Sequence, residues 1–299
     1  EFKALYLQQP LRHTVQSKLG RLLQHDNIQC NKLALEILST WPAGQYDNIE
    51  NLILALTDSN DWNIRNACIS ASHLLQDKER SNILSDFLED PHPNVRSTAI
   101  KMLASSQTDD IAYIQRKIVN KQAGSPRAIQ SMIEYLMNVG ADAATMQSIS
   151  LSLADDARTL KQASLYLKET SDDETDVTTL LIQALEERVV DITDLALYAI
   201  QTSDHEEDIA VIRAGLSSND SRQFSNACEL LTLLNNRELT ALIVPLFEES
   251  HAAKKARYDN MPFDNIDSLV IWIQNRSDPW LDECASYFSA TLNTSPHTA

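Results

Sequence analysis

The sequence predicts an all-α protein of the α-solenoid class, an alpha-alpha superhelix of about nine helical hairpins. Three observations predict this fold. Glycine is scarce, with 5 residues in 299, aromatic residues make up only 6% of the chain, and one residue pattern returns about every 32 positions. Because strands and tight turns depend on glycine, aromatic and β-branched residues, a barrel or a sandwich is disfavoured.

The repeat is clearest in two stretches of the first half of the chain. Residues 58–74 align with residues 90–103 without a large gap, and both carry Ile or Val, then Arg, then Ala. A small or apolar residue marks the same place in nine units, at intervals of 29 to 33. These marks are Ala34, Ala67, Ala99, Met132, Ala163, Ala196, Ala227, Ala256 and Ala285.

Each unit contains an outer A helix and an inner B helix. In the A helices apolar residues recur at helical spacing, as in residues 49–56, 83–88 and 180–185. In the B helices a small residue such as Ala67 lies where two helices approach closely. Since proline is tolerated in the first turn of a helix, three B helices are predicted to begin near Pro93, Pro126 and Pro279.

The domain organisation follows from the length of the repeat. One hairpin of about 30 residues cannot bury its own apolar face, whereas stacked hairpins share a continuous core. We therefore predict one elongated domain over residues 1–292 and a flexible C-terminal tail over residues 293–299.

The repeated string is D-x-x-x-x-x-[VI]-R-x-x-A-x-x-x-L, and it resembles a HEAT repeat over nearly the whole chain. In HEAT repeats the Asp and Arg of successive units form a polar ladder through the turns. The resemblance implies this structural role for four residues: Asp58, Arg65, Asp90 and Arg96. Later units depart from the pattern, because the unit that begins at Asp278 lacks the arginine, and the ladder is expected to fade after about Arg158.

A narrower resemblance covers residues 224–249 and 278–285. These segments are similar to the HEAT-type region that follows the membrane domain in some bacterial nucleotide-translocase-like and major-facilitator-like proteins. The resemblance implies a cytoplasmic chain at the cytoplasmic face of the membrane, attached to a membrane domain outside it. A start without Met at Glu1 agrees with that expectation. No run of about 18 apolar residues is present, so we predict no direct membrane insertion by this chain.

The charge of the chain limits its partners. The net charge of −17 repels phosphate backbones and anionic lipid, so we predict that the chain binds no nucleic acid. Thirteen acidic residues and one base lie between Glu169 and Asp208. This stretch is either a solvated loop with acidic helix starts or a docking site for a basic protein segment. The second interpretation assigns partner binding to Asp172, Asp173, Glu174 and Asp176.

Aromatic residues supply a second set of candidates for partner binding. Tyr135, Tyr166 and Tyr198 fall in the B-helix region of three central units, each about one repeat after the last. Such a stripe faces either the core or the groove of the solenoid, and the spacing of the tyrosines does not distinguish these two orientations. Trp62 and Trp280 lie at the start of B helices, where a tryptophan either packs between successive turns or anchors a peptide.

No pattern in the sequence points to catalysis, a cofactor or a metal. The seven histidines lie in separate units and the five glycines never cluster, so neither a zinc pair nor a phosphate-binding loop is visible. The four cysteines form no C-x-x-C pair and are predicted to be reduced core residues. We therefore predict no catalytic residue, no cofactor and no metal site.

The function predicted from these observations is a non-enzymatic binding scaffold for a protein partner. The narrower resemblance adds a role as the soluble regulatory domain of a larger transporter-like membrane protein. The alternative is a HEAT-like enzyme, either a bilin lyase or an alkylpurine DNA glycosylase. A glycosylase needs a basic groove for DNA, which the net charge disfavours. A lyase could use a cleft tyrosine or acid without any recognisable motif.

Overall fold

A computed structural model describes residues 9–42, 49–105, 110–170, 176–201, 206–216, 218, 220–234, 236–247 and 261–294. These residues form fifteen helices and no strands, so the predicted all-α solenoid class is confirmed. The chain divides into two compact units, unit 1 over residues 1–110 and unit 2 over residues 111–299. The single domain predicted over residues 1–292 stays a prediction.

Unit 1 consists of three successive helical hairpins. Its helices are α1 (Gln9–Leu23), α2 (Ile28–Leu38), α3 (Ile49–Ala55), α4 (Trp62–Ala71), α5 (Asp77–Asp86) and α6 (Pro93–Ser105). The second helix of each hairpin packs on its counterpart in the next, since α4 contacts both α2 and α6. The alanines Ala34, Ala67 and Ala99 are buried on these three helices. This is the row of B helices that the repeat predicts.

We expect Ala99→Leu to destabilise unit 1 by about 1–3 kcal/mol, because overpacking a tight helix contact forces side chains and backbone to shift. Ala99 has no exposed surface. Urea denaturation followed by circular dichroism measures the change. Ala210→Leu, at an exposed position of unit 2, is the control and should change stability by less than about 0.5 kcal/mol. A neutral result at Ala99 would mean that the faces of α6 are assigned wrongly.

Unit 2 contains the other nine helices of the described residues. They are α7 (Asp110–Val119), α8 (Pro126–Asn138), α9 (Ala143–Thr170), α10 (Asp176–Ile200), α11 (Glu206–Leu216), α12 (Ser221–Leu233), α13 (Arg237–Phe247), α14 (Ile266–Gln274) and α15 (Pro279–Thr294). The helices α6, α8 and α15 begin at Pro93, Pro126 and Pro279, which confirms the predicted helix starts. Since α15 reaches Thr294, the predicted tail begins within a helix, and residues 295–299 lie outside the described residues.

The helices α9 and α10 form one long antiparallel hairpin of 28 and 25 residues. The Ser150 hydroxyl donates to the Ala196 carbonyl at one end, and Ser164 donates to Glu186 further along. The period predicts separate A and B helices here, and that prediction is wrong. The physical reason is that neither helix contains a glycine or proline to end it.

The order of packing in unit 2 differs from the order of the chain. Helix α11 packs on α10 and α12, and α12 packs on α13, which lies against α9. The chain then returns to the long hairpin, because α15 packs on α10 and α14 packs on α15. The last described hairpin is therefore a neighbour of α10, although three helices of the described residues separate them in sequence.

The marked residues of the repeat are buried throughout the described part of the chain. Met132, Ala163, Ala196, Ala227 and Ala285 all lie in the core of unit 2, and Ala256 lies outside the described residues. All four cysteines are thiols, with Cys68 and Cys284 buried and the other two half-buried. Burial raises the pKa of the Cys68 thiol to about 12. Two of the four are therefore the core residues that the sequence predicts.

Candidate functional site

A groove of about 360 Å³ lies between two successive turns of unit 1, and we call it the turn groove. Residues 57–60, which join α3 to α4, form one wall. The other wall comes from the end of α5 and the turn before α6, within residues 83–91. Arg65 of α4 also lines the groove. A groove of this size accommodates a long side chain of a partner.

One ion pair joins the two repeats beside the turn groove. The Nε atom of Arg65 donates to Asp90 Oδ2 over 2.6 Å, and Nη2 donates to Oδ1 over 2.9 Å. A third guanidinium donor reaches the carbonyl oxygen of Ser59 over 2.7 Å. The hydrogen bonds to Asp90 raise the pKa of Arg65. Because both partners are almost buried, this pair fixes the spacing of the two turns.

The remaining ladder residues lie close to this pair. The Nη1 atom of Arg96 donates to the carbonyl oxygens of Asp90 and Pro91, and both residues are on or next to the second wall. Asp58 is exposed on the first wall. The structure thus brings Arg65, Asp90 and Arg96 together around one turn.

Most of the charged side chains that line the turn groove are carboxylates. Asp58 and Asp86 are exposed on opposite walls, Glu89 is half-buried and Asp90 is buried against Arg65. The groove is therefore lined by four carboxylates and one guanidinium, and that guanidinium is bound to one of the four. Such a lining attracts a cationic side chain and repels an anionic one.

The predicted tryptophan of unit 1 packs between successive turns. The ring of Trp62 stacks on the imidazole of His92, with centroids 4.0 Å apart and planes 2° from parallel. In the sequence, Trp62 comes shortly after Asn60 and His92 directly follows Pro91, and both Asn60 and Pro91 line the groove. The stack is a second connection between the walls of the turn groove.

The predicted acidic site lies mostly outside the described residues. Asp172, Asp173 and Glu174 are among those that the structure leaves undescribed, and Asp176 is the exposed first residue of α10. Further along α10, Glu186 accepts from the Lys168 amine over 2.6 Å and pairs with Lys161. The negative charge of α10 is therefore partly neutralised by bases of the same chain.

The three predicted tyrosines have different surroundings. Tyr135 is half-buried on α8. The Tyr166 hydroxyl donates to the Asp264 carbonyl over 3.4 Å, and its ring lies edge-on to Phe263. The Arg213 guanidinium lies 4.7 Å from the ring centre of Tyr198, and burial raises the pKa of that phenol. Because α9 and α10 are antiparallel, Tyr166 and Tyr198 lie toward opposite ends of the long hairpin.

A buried charge cluster occupies the middle of the long hairpin. Asp156 of α9 accepts two hydrogen bonds from the Arg276 guanidinium, one of them over 2.8 Å, and pairs with the Lys121 amine over 2.8 Å. Lys121 adopts a positive φ of 59° in the turn after α7, a conformation with a cost of about 1–3 kcal/mol. Burial would raise the pKa of Asp156, but Arg276 and Lys121 outweigh it and hold that pKa below its ordinary value.

The second half of the cluster repeats the geometry of the Arg65–Asp90 pair. The Nε atom of Arg188 donates to Asp278 Oδ2 over 2.7 Å, and Nη1 donates to Asp191 over 2.9 Å. Asp278 also accepts from the backbone N–H groups of Trp280 and Leu281 at the start of α15. Burial would lower the pKa of Arg188, but these carboxylates raise it overall. Burial also raises the pKa of Asp191.

The space inside this cluster is small. Lys121, Asp156, Arg188, Arg276 and Asp278 line a cavity of about 20 Å³, which has room for one water molecule. The described residues contain no group of three or more His, Cys, Asp or Glu side chains that could hold a metal ion. The ion pairs of the cluster join the long hairpin to Lys121, which follows α7, and to the α14–α15 hairpin.

Sequence reasoning missed this cluster because its members are distant in the chain. Arg276 and Asp156 are separated by 120 residues, and Arg188 and Asp278 by 90 residues. The one signal in the sequence was Asp278 itself, an aspartate before proline with no arginine in its own unit. Its arginine comes from α10 instead.

Comparison with known proteins agrees with the repeat geometry. Residues 49–150 match the HEAT repeats family. HEAT repeats generally act as scaffolds for protein interactions. No curated protein matches the chain with significant similarity. Across the part of the chain that the structure describes, no helix is both long and apolar enough to cross a membrane.

Proposed function

We propose that this chain is a non-enzymatic scaffold that binds a basic segment of a protein partner in the turn groove. The observation that carries the proposal is the groove itself, whose two walls each present an exposed carboxylate. The match of residues 49–150 to HEAT repeats supports the scaffold role, because such repeats generally mediate protein binding.

The structure of the groove suits a lysine or arginine side chain. Asp58 and Asp86 stand on opposite walls, so a cation between them interacts with both. The Arg65–Asp90 pair and the Trp62–His92 stack hold the walls in place before the partner binds. A preorganised groove loses less conformational entropy on binding than a flexible acidic loop does.

The acidic stretch is the second place where a basic segment could dock. Its described part is weaker support, because Glu186 and Asp194 pair with Lys168 and Arg213 of the same chain. We therefore assign the primary contact to the turn groove. Asp172, Asp173, Glu174 and Asp176 remain proposed as an auxiliary surface that raises the association rate.

The test is a fluorescence anisotropy titration with a labelled, unstructured peptide that carries six arginines. We expect Asp58→Asn/Asp86→Asn to weaken binding about fivefold, since two exposed ion pairs together contribute about 1 kcal/mol. The variant should also reduce the salt dependence of the affinity. Asp26→Asn/Glu229→Gln removes two exposed charges elsewhere and should change the affinity by less than about twofold.

Two results would contradict the assignment of the groove. An equal loss in both double variants would show that the peptide responds only to the total charge of the protein. A loss confined to Asp172→Ser/Asp173→Ser/Glu174→Ser would place the primary contact on the acidic stretch. In either case the turn groove would not be the binding site.

A further part of the proposal rests on the resemblance of residues 224–249 and 278–285. We propose that the chain is the soluble regulatory domain of a larger transporter-like membrane protein, and that it is cytoplasmic. The segments correspond to α12, α13 and the start of α15. The coding sequence upstream of Glu1 is the test, and ten or more hydrophobic spans are expected there. An upstream sequence without such spans would remove this part of the proposal.

An assay for bilin transfer can contradict the proposed scaffold role. If the protein transferred a bilin to an acceptor protein, and Tyr166→Phe abolished the transfer, the chain would be a lyase. We expect no transfer, because the proposed scaffold carries out no chemical step. Absorbance of the acceptor after mixing with bilin and the protein measures the outcome.

A further inference from the structure

The last hairpin of the chain, α14 and α15, occupies the position of a following repeat on α10. In unit 1, Arg65 of α4 pairs with Asp90, the aspartate just before the next B helix, α6. In unit 2, Arg188 of α10 pairs with Asp278, the aspartate just before α15. Both aspartates also accept a backbone N–H two residues later. An arginine–aspartate pair of the same kind therefore joins α15 to α10 and α6 to α4.

This hairpin differs from the repeats of unit 1 in the positions that carry the arginine. Arg65 follows Asp58 by seven positions, and Arg96 follows Asp90 by six. The corresponding positions after Asp278 are Cys284 and Ala285, both of them buried. Neither of these two positions therefore holds the arginine of the repeat.

The exposed surface of this hairpin is partly apolar. Trp280 is 44% exposed and Tyr287 is 57% exposed, and on the neighbouring helix Ile271 is 58% exposed. Trp280 and Tyr287 are seven residues apart, so they lie two turns apart on one side of α15. The exposed Glu283 lies between them. We call the surface of Trp280, Glu283 and Tyr287 the α15 face.

The exposed charged residues of α14 and α15 are all acidic. Residues 261–294 contain five acids and one base, and that base, Arg276, is bound to Asp156. Asp267, Asp282 and Glu283 are exposed acids. A second copy of the chain would bring the same negative charge to the contact, which is repulsive. A partner must therefore combine apolar side chains with positive charge.

We propose that the α15 face docks the apolar side of a basic amphipathic helix from a protein partner. The two aromatic anchors are about 10.5 Å apart along the helix axis, which matches apolar side chains at positions i and i+7 of a partner helix. Lysines or arginines beside those apolar residues then lie close to Glu283. Tryptophan and tyrosine are the residue types that most often carry binding energy at such contacts.

This surface is distinct from the turn groove, and its ligand differs as well. The groove takes a single cationic side chain from an extended segment, whereas the α15 face requires a helix with apolar anchors. The two proposals therefore fail or succeed separately.

The test compares two labelled peptides of equal length and equal lysine and leucine content, each long enough for several helical turns. One has leucines at helical spacing, and the other has the same residues in an order without that periodicity. We expect the amphipathic peptide to bind at least tenfold more tightly than the reordered one. Trp280→Ser/Tyr287→Ser should weaken binding of the amphipathic peptide at least tenfold.

The controls separate the α15 face from general apolar exposure and from the turn groove. Ile28→Ser/Leu33→Ser removes two apolar residues of α2 with similar exposure, 47% and 52%, and should leave the affinity within about twofold. Asp58→Asn/Asp86→Asn should leave it equally unchanged. If circular dichroism shows that the serine variant is unfolded, Glu283→Lys replaces it and should weaken binding about fivefold.

Three results would overturn the proposal. Equal binding of both peptides would show that helical amphipathicity is not recognised. Unchanged binding by Trp280→Ser/Tyr287→Ser, or by Glu283→Lys where that variant replaces it, would show that the peptide docks elsewhere. Sedimentation velocity that shows a dimer of the unmodified chain, converted to monomer by the variant of the α15 face, would identify a second copy as the occupant.

Discussion

Asp156→Ala is expected to lower the free energy of unfolding of unit 2 by about 3–5 kcal/mol. The substitution leaves Arg276 and Lys121 without the carboxylate that both of them contact. The side chains of Asp156 and Arg276 are 7% and 9% exposed, so bulk water compensates poorly for the lost interaction. Removal of one partner of a buried ion pair is costly because the other charge stays buried.

Denaturation in urea, followed by circular dichroism, measures the effect of Asp156→Ala. The matched control is Asp155→Ala, at the preceding position of α9, where the side chain is 48% exposed and pairs with Arg158. That exposed pair contributes less than about 1 kcal/mol. In Asp156→Leu/Arg276→Met both charges of the pair are removed together, and we expect most of the stability to return. Equal effects of Asp155→Ala and Asp156→Ala would contradict the role of the cluster.

The same variant has a defined pH dependence. The pKa of Asp156 is lower in the folded protein than its ordinary value of about 3.9. The ionised carboxylate therefore stabilises the fold above that pH, and its contribution is lost as the pH falls through the folded pKa. The stability difference between the unmodified protein and Asp156→Ala should accordingly be full at pH 7 and smaller at pH 3.

Gly215→Ala is expected to destabilise unit 2 by about 2–3 kcal/mol, at the upper end of the usual cost of overpacking. A Cβ atom at Gly215 of α11 would lie 2.6 Å from the Cβ of Ala227 and 2.9 Å from the carbonyl oxygen of Gln223. Both neighbours belong to α12, and one of them is a backbone atom, so the helices must move apart. Thermal or urea denaturation measures the loss.

The control for Gly215→Ala is the same substitution in α1. A Cβ atom at Gly20 would meet only the Cδ1 atom of Leu52, at an ordinary contact distance of 3.6 Å. Alanine is favoured over glycine within a helix, so Gly20→Ala should stabilise unit 1 by about 0.5–1 kcal/mol. The two substitutions should therefore have opposite signs. A stabilising Gly215→Ala would mean that α11 and α12 do not approach as closely as described.

The fold of unit 1 could be predicted from the sequence because its determinants are local. The alanine marks, the apolar spacing and the prolines at helix starts each act within one helix or between neighbours in the chain. Arg65 and Asp90 are only 25 residues apart and belong to successive repeats. The alignment of these repeats therefore indicates that the two residues lie near each other. The turn groove lies between these same two repeats. Its volume could not be predicted from the sequence, because it depends on how closely the two turns approach each other.

The arrangement of unit 2 could not be predicted in the same way. A constant repeat period assumes that each hairpin stacks on the next one in the chain, whereas α15 returns to α10 across four intervening helices of the described residues. The tyrosine spacing was misleading for a related reason. Tyr166 and Tyr198 are one period apart in sequence, but they lie on two antiparallel helices and therefore toward opposite ends of the long hairpin.

The distance in sequence between Asp156 and Arg276 has a consequence for biosynthesis. These residues are 120 positions apart, so at 5–20 residues per second the ribosome adds Arg276 roughly 6 to 24 s after Asp156. During that interval the carboxylate and the polar middle of the long hairpin remain without their last partner. Until α14 and α15 have left the exit tunnel, Lys121 alone is available to pair with Asp156, so the long hairpin cannot complete its polar core.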